Sequence, residues 1–256
     1  MDLSTILSIA PAVFLNDFLR YSIPAFGLLA ILLLARKKLT AQRIQNREIR
    51  FRQYAREFGY SMSTVIIYAS AGIAIFMAQR AGLTRIYLNI EDRGWVYFVS
   101  SIVIMIILHD GYFYWTHRLM HSRILFKTFH RIHHLSRTPS PLAAYAFSPF
   151  EALVQLAIFP MIVFVIPAHP IALFIFPTWM ILRNVLGHSG YEFFPAWFAT
   201  TPVVRSLTTA VHHDMHHDTM RGNYGLYFRF WDRMMGTENP LYELRFSEIA
   251  NRGGKK

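Results

Sequence analysis

His117-Arg-Leu-Met-His121 is followed nine residues later by His130-Arg-Ile-His133-His134, and further on stands His212-His213-Asp214-Met215-His216-His217. Nine of the twelve histidines in the chain fall in these stretches. If 117 to 121 is helical, His117 and His121 lie on one face, one turn apart, as two ligands to a shared metal must. The same spacing relates His130 to His133 and His134, and His213 to His216 and His217. A single histidine needs no metal to explain it, but three such clusters in one chain are hard to explain otherwise. Four imidazoles satisfy a tetrahedral zinc, so eight or more that converge require two ions. The spacing therefore predicts a dinuclear site made almost wholly of imidazole.

Imidazole suits iron, copper, nickel and zinc. With no cysteine in the chain there is no thiolate for an iron–sulfur or blue-copper site. No Glu has a His three residues on, which excludes the Glu-x-x-His pattern of soluble di-iron bundles. Asp110, Tyr114, His117 and His121 are spaced 4, 3 and 4 and form one helical stripe. Asp110 either caps a buried polar network or accepts a hydrogen bond from the far nitrogen of a ligand imidazole, and its place on the stripe favours the second. Tyr114, Asn184, Asp214, Asp218 and Asn223 are further candidates for supporting the ligands.

The three histidine groups resemble the histidine boxes of the fatty acid hydroxylase / sterol desaturase superfamily of membrane di-iron oxygenases. Asp110-Gly-Tyr-Phe-Tyr-Trp-Thr-His117-Arg118, Asn223-Tyr224-Gly225 and Trp231-Asp232-Arg233-Met-Met-Gly-Thr237 resemble its flanking segments, so the match runs over roughly 95 to 240. The resemblance implies two iron ions (Fe2+/Fe3+), dioxygen as co-substrate, and removal of hydrogen from an unactivated C–H bond. It adds His188, in Gly187-His188, to the ligands His117, His121, His130, His133, His134, His213, His216 and His217. His212 precedes the three-residue pattern and is an additional candidate. Some relatives carry a second His where Asn184 stands, so Asn184 is read as a weak ligand, a water holder or the mark of an open position. In Phe147-Ser148-Pro149-Phe150-Glu151 this chain has Ser148 where the family usually has His. Glu151 reads as an N-terminal charge favoured by the helix dipole. Zinc can displace iron in a purified sample.

A hydrophobic share of 54%, with 16% of all residues aromatic, and a positive mean hydropathy point to an integral membrane protein. The net charge of +11 is not arranged as any nucleic-acid module, so no nucleic-acid partner is expected. Residues 1 to 20 are interrupted by Pro11, Asn16, Asp17 and Arg20 and read as an interfacial lead-in; a cleavable leader is not expected, because Asp2 stands where positive charge is needed. The first span is placed at 21 to 35, extended by Leu15 to Leu19. A basic loop follows at 36 to 57, read as a solvated face that can lie along anionic lipid as a helix. The second span is placed at 59 to 78 and the third at 95 to 108. The positive-inside rule puts the basic loop in the cytoplasm and the N-terminus outside. The third helix is expected to run on, placing His117 roughly 13 Å beyond Leu108. Pro160, Pro167, Pro170 and Pro177 break 152 to 183 into a helical hairpin.

The expected architecture is thus all-α: about three membrane spans plus a helical hairpin, with a cytosolic helical cap carrying the histidine boxes. Residues 1–94 form the N-terminal membrane helices, 95–240 the fatty acid hydroxylase-like domain, and 241–256 a polar tail. The expected activity is hydroxylation of a membrane lipid of fatty-acyl, sphingolipid or sterol type, with sterol or acyl desaturation as the alternative. A separate electron donor (a ferredoxin, cytochrome b5 or reductase) is expected, because no dinucleotide fingerprint or cysteine cluster is visible. The expected setting is a bacterial inner membrane or the endoplasmic reticulum. A membrane metal-binding or transport protein is the alternative of another class, disfavoured because the ionisable residues gather beyond the span ends rather than at mid-bilayer.

Overall fold

The computed structural model describes residues 3–252. Asp2 and the last four residues of the basic end lie outside the described residues. Helix α1 (Leu3–Leu34) is continuous, with Pro11 and Pro24 inside it. The expected lead-in is therefore part of the first span. Arg20 pairs with Asp17 at 2.7 Å, one turn apart, so these polar residues neutralise each other on the helix instead of breaking it. Residues 35 to 50 are turns and irregular chain with one 3-10 turn at Thr40–Gln42, and α2 (Phe51–Arg80) begins eight residues before the expected second span. The basic stretch is thus two structures, not one solvated helix, and Glu57 at its end is fully buried.

The polar side chains of α2 explain that extension, because they hold the connector that follows the second histidine group. Gln53 donates to the Thr138 carbonyl at 2.7 Å and Ser61 to the Leu142 carbonyl at 2.9 Å. Thr64 donates to the Tyr145 carbonyl at 2.8 Å, and Ser140 donates to the Glu57 carboxyl. Tyr21 of α1 donates to the same Leu142 carbonyl at 3.0 Å. These bonds satisfy backbone carbonyls of an irregular segment buried among helices.

Helix α3 (Gly94–Met120) runs through the third span and on to the first histidines, as expected. The short α4 (Phe126–Phe129) and a 3-10 turn at His133–Leu135 carry the second group. The hairpin consists of α5 (Pro149–Leu156) and α6 (Ile158–Val165), broken at Ala157, and the returning α7 (Pro170–Gly187). His169 caps the return, accepting from Ile171 N at 3.2 Å on Nδ1 and donating from Nε2 to the Leu88 carbonyl at 3.0 Å. Helix α8 (Ala210–Thr219) presents the third group, and α9 (Phe230–Met234) and α10 (Tyr242–Ala250) close the chain.

The stretch from 241 is not a polar tail. Tyr242, Phe246 and Ile249 of α10 are buried against Ala210 and Val211 of α8. Arg229 anchors this corner: it pairs with Glu238 at 2.6 Å and lies 4.2 Å over the Tyr242 ring.

Among the described residues four helices, α1, α2, α3 and α7, are long and apolar enough to cross a membrane, and the chain is an integral membrane protein. The fourth, at 18 residues, spans about 27 Å, so the second arm of the hairpin is itself of bilayer length. Among the described residues there is no strand, only isolated bridges such as Arg43 with Tyr191.

Candidate metal centre

The last turn of α3 supplies His117 and its C-terminal cap supplies His121. His130, His133 and His134 sit on the successive turns after α4, held by bonds from His130 N to Phe126 O at 3.0 Å and His134 N to His130 O at 3.3 Å. His188 caps the end of α7. His213, His216 and His217 lie on α8, whose N-cap Thr209 accepts from His212 N at 3.3 Å. These nine form two groups: His117, His121, His130, His134 and His216, and separately His133, His188, His213 and His217. Within each group the ligand atoms lie within 4.8 Å of one another.

The division does not follow the boxes. Histidines four apart share a group: 117 with 121, 130 with 134, 213 with 217. The remaining members, His133 and His216, go to the other group, because side chains on neighbouring helical positions point about 100° apart.

Nε2 atoms face one another inside each group. From His188 Nε2 the distances are 3.0 Å to His213, 3.1 Å to His133 and 3.2 Å to His217. From His134 Nε2 they are 3.0 Å to His216 and 3.1 Å to His121. Metal–nitrogen bonds of about 2.0–2.1 Å place ligand nitrogens about 2.9 Å apart at octahedral cis positions and about 3.4 Å apart in a tetrahedron. The observed spacing falls between these limits.

The far nitrogens fix the tautomers. His117 Nδ1 donates to the Tyr224 carbonyl at 2.8 Å, His188 to the Asn184 carbonyl at 2.7 Å, and His216 to the Gly222 carbonyl at 2.7 Å. A carbonyl only accepts, so the proton is on Nδ1 and a neutral ring turns its Nε2 lone pair inward. Burial holds the rings neutral, with neighbouring imidazoles adding to it: His121 is brought down to about 2 and His134 to about 3. Burial likewise brings His188 to about 4, and His130, His133, His213, His216 and His217 well below the usual range. Where Nδ1 holds the proton, as in His117, His188 and His216, the inward Nε2 has only a lone pair to turn toward its neighbours. His117 Nε2 and His130 Nε2 have no hydrogen-bond partner at all. A cation at the centre of each group answers both problems, so the donor set fits two metal ions.

The remaining candidates fall elsewhere. His212 belongs to neither group; neither ring nitrogen has a hydrogen-bond partner, and the nearest carboxylate oxygen, on Asp232, is 3.7 Å away. Asp110 does not reach an imidazole. It accepts from Tyr227 N at 2.9 Å and Phe228 N at 3.2 Å, capping backbone that the α3 stripe meets before it reaches the histidines. Tyr114 shares a hydrogen bond with Thr237 at 3.0 Å and stacks on Trp231. Asp214 accepts from Gln45 at 2.9 Å, and Asp218 pairs with Arg47 at 2.8 Å, both on the outward side of α8. The Asn184 amide donates to the Ala144 carbonyl at 2.6 Å, and its backbone carbonyl, not its side chain, orients His188. Asn223 donates to the His212 carbonyl at 2.9 Å and accepts from Asn239 N at 2.7 Å. It secures the loop and touches no ligand ring.

Sequence reasoning missed the carboxylate that does reach a ligand. Glu151, fully buried, accepts from His130 Nδ1 at 2.7 Å. Its place in the first turn of α5 is fixed by Ser148, whose hydroxyl accepts from Glu151 N at 3.1 Å and donates to the Phe129 carbonyl at 2.6 Å. The serine that replaces the family's histidine is thus a helix cap joined to the segment that carries His130. The signal available was a buried-helix glutamate with a cap three residues before it.

The loop after α8 supplies the other acceptors. Gly222 and Asn223 have φ of 68° and 54°, and this left-handed turn aims the Gly222 and Tyr224 carbonyls at two ligands. Asp232 holds the loop, accepting from Tyr224 N at 2.9 Å and Gly225 N at 2.7 Å.

With this geometry in view, comparison with known proteins is specific. The family model described as fatty acid hydroxylase matches residues 102–237. The chain is 28% identical over 188 residues to a lathosterol oxidase of Rattus norvegicus, covering 72% of this chain and 61% of the relative. It is 29% identical over 194 residues to a delta(7)-sterol 5(6)-desaturase of Gibberella zeae, covering 75% and 58%. With methylsterol monooxygenase 1 of Rattus norvegicus it shares 29% over 164 residues, covering 63% and 54%. The chain thus spans about three fifths of the length of the first of these relatives. No solved structure matches. The family match covers more than half of the chain, and it takes in eight of the nine converging histidines on the segments just described together with the ninth, His188: the chain belongs to the fatty acid hydroxylase family.

Proposed function

We propose that this chain is a membrane-bound non-haem di-iron oxygenase that uses dioxygen and external electrons to oxidise a C–H bond of a lipid. The observation that carries this reading is the convergence of nine neutral imidazoles in two adjoining groups at the ends of apolar helices. His117, His121, His130, His134 and His216 are assigned to one iron, and His133, His188, His213 and His217 to the other. When bound, the two irons supply the redox capacity to activate dioxygen against an unactivated C–H bond.

The chain's own residues set the conditions for that chemistry. Carbonyls of Gly222, Tyr224 and Asn184 hold the proton of three ligands on Nδ1 and so keep Nε2 free. Glu151 orients His130 in the same way, through its Nδ1, and burial pushes the Glu151 carboxyl well above the usual carboxylate range. Eight of the nine rings are almost fully buried, which keeps bulk water from the reacting centre. The unit that performs the chemistry is assigned to 95–240, the site to the cytoplasmic side and the N-terminus to the outside, in line with the basic residues of 36–56. Electrons are assigned to a separate ferredoxin, cytochrome b5 or reductase.

Hydroxylation and desaturation begin with the same hydrogen removal. The relative named as a sterol desaturase favours an added double bond; the relative named as a monooxygenase favours an added oxygen. Purified protein reconstituted with iron, reductant and membrane lipid under labelled dioxygen tests both: label retained in the lipid marks hydroxylation, a mass loss of two hydrogens marks desaturation. Absence of iron-dependent oxygen uptake with every lipid class would overturn the proposal.

A further inference from the structure

A cleft of about 490 Å³ opens between the end of α1, the basic turns that follow it and the segments that leave the metal centre. Three features of its wall specify a ligand. Leu29, Leu32 and Leu33, from the last turns of a bilayer-length helix, form an apolar side. Arg36, Lys37, Arg43 and Arg47 also line it, against Glu48 as the single lining carboxylate. The buried Ser140 and Ser189 complete the lining together with Gly190.

The cations are available. Arg47 is paired with Asp218, but among the described residues Arg36, Lys37 and Arg43 form no ion pair, and Arg43 uses its guanidinium on the Arg47 carbonyl at 2.5 Å. Four cationic side chains lining one cleft against a single carboxylate leave an excess of positive charge that gains from an anion placed among them. An anion alone would leave the leucine side wet. A molecule with an anionic head and an apolar body matches both walls, and the end of a membrane helix is where such a molecule sits.

The cleft is also built into the centre. Ile44 N donates to the Gly190 carbonyl at 3.0 Å, and Glu192 N to the Gln42 carbonyl at 2.8 Å, so the basic turn is stitched to the strand-like stretch that begins one residue after His188. Gln45 ties it to the other side, donating to the Arg137 carbonyl and accepting from Thr138 at 2.7 Å. A head group held here lies against the backbone that leaves His188 and the backbone that leaves His134.

We propose that the cleft between Leu29–Lys37 and Ser189–Tyr191 binds the phosphate or carboxylate head of a membrane amphiphile, with its apolar body laid along the end of α1. That this amphiphile is the oxidised lipid rests on the oxygenase reading; its binding does not.

The test is binding without turnover. Full-length protein in nanodiscs is offered dioleoyl phosphatidic acid, oleate and dioleoyl phosphatidylcholine in equal amounts, and retained lipid is counted by native mass spectrometry. Phosphatidic acid or oleate is expected to be retained over phosphatidylcholine, and Arg36→Glu/Lys37→Glu to lower that preference by roughly tenfold or more. Lys38→Glu, an exposed neighbour outside the cleft, reports general surface charge, and Arg36→Gln/Lys37→Gln guards against misfolding of the reversed variant. Equal losses from Lys38→Glu and the double variants, or no loss from either double variant, would overturn the proposal. Preference for phosphatidic acid identifies a phosphate head and for oleate a carboxylate head, and later oxidation of the retained species on addition of iron and reductant marks it as substrate. Failure of the oxygenase reading would leave the binding result intact.

Discussion

His216 and His217 are neighbours in the chain yet face different metal groups, their ring centroids 5.8 Å apart and their planes at 86°. His133 and His134 repeat the same relationship, at 5.8 Å and 86°. Each pair straddles the boundary between the two groups, and the rings of His134 and His217 approach to 4.8 Å across it. The two groups are therefore joined by covalent neighbours, and among the described residues neither group contains a carboxylate.

Removing one member of a pair is expected to empty one centre selectively. His133→Ala deletes one of four donors from its group and His134→Ala one of five from the other, so each variant should fall from about two irons per chain to about one. Metal analysis combined with Mössbauer spectra distinguishes which environment is lost. Loss of both irons in both variants would contradict the division.

Glu151→Gln keeps an acceptor for His130 Nδ1 but removes the ionisable carboxyl. Loss of an outer hydrogen-bonding partner of a ligand typically weakens metal binding about 10–100-fold, and that range is expected for the five-histidine group alone. Competition with a chelator measures it. Ser148→Ala, which removes the cap that places Glu151, is expected to cost about 1 kcal/mol of stability with a smaller effect on the metal.

Gly222→Ala addresses the carbonyl that orients His216. The residue sits at φ 68°, and a Cβ there would clash with the Thr237 carbonyl oxygen. The backbone must shift, and the substitution is expected to cost more than about 1 kcal/mol. A lower melting temperature in detergent should be accompanied by weaker binding at the group containing His216.

His212 offers a pH test. Burial, with the Arg229 and Arg233 charges adding, brings it down to about 3, whereas an unfolded histidine titrates near 6.5. Between those values the unfolded chain holds a proton that the folded chain refuses. Its contribution to stability is therefore intact above about pH 6.5 and declines on acidification, by about 1.4 kcal/mol per pH unit. His212→Leu should make the stability of the iron-loaded protein less sensitive to acid over this window and leave two irons in place. Iron loss at neutral pH would return His212 to the ligands.

The residues themselves carried much of this. Spacings of four in 117/121, 130/134 and 213/217 follow from helical periodicity, which any sequence displays, and runs of apolar residues long enough for a bilayer are equally plain. The continuous α1 was less legible, because the pairing of Asp17 with Arg20 that reconciles its polar residues with a helix depends on side-chain conformation.

What only the tertiary structure decided was how the histidines divide and what supports them. His133 and His216 change partners because neighbouring side chains diverge by about 100°, and which ring meets which depends on how α3, α7 and α8 are docked. The supporting acceptors are mostly backbone carbonyls, of Asn184, Gly222 and Tyr224, and every residue has one, so the sequence cannot mark them. The carboxylates that looked suited to the task, Asp110, Asp214 and Asp218, were drawn to backbone amides, to Gln45 and to Arg47. Glu151 took the role because Ser148 sets the start of α5 beside His130, a contact across 21 residues that exists only once the chain has folded.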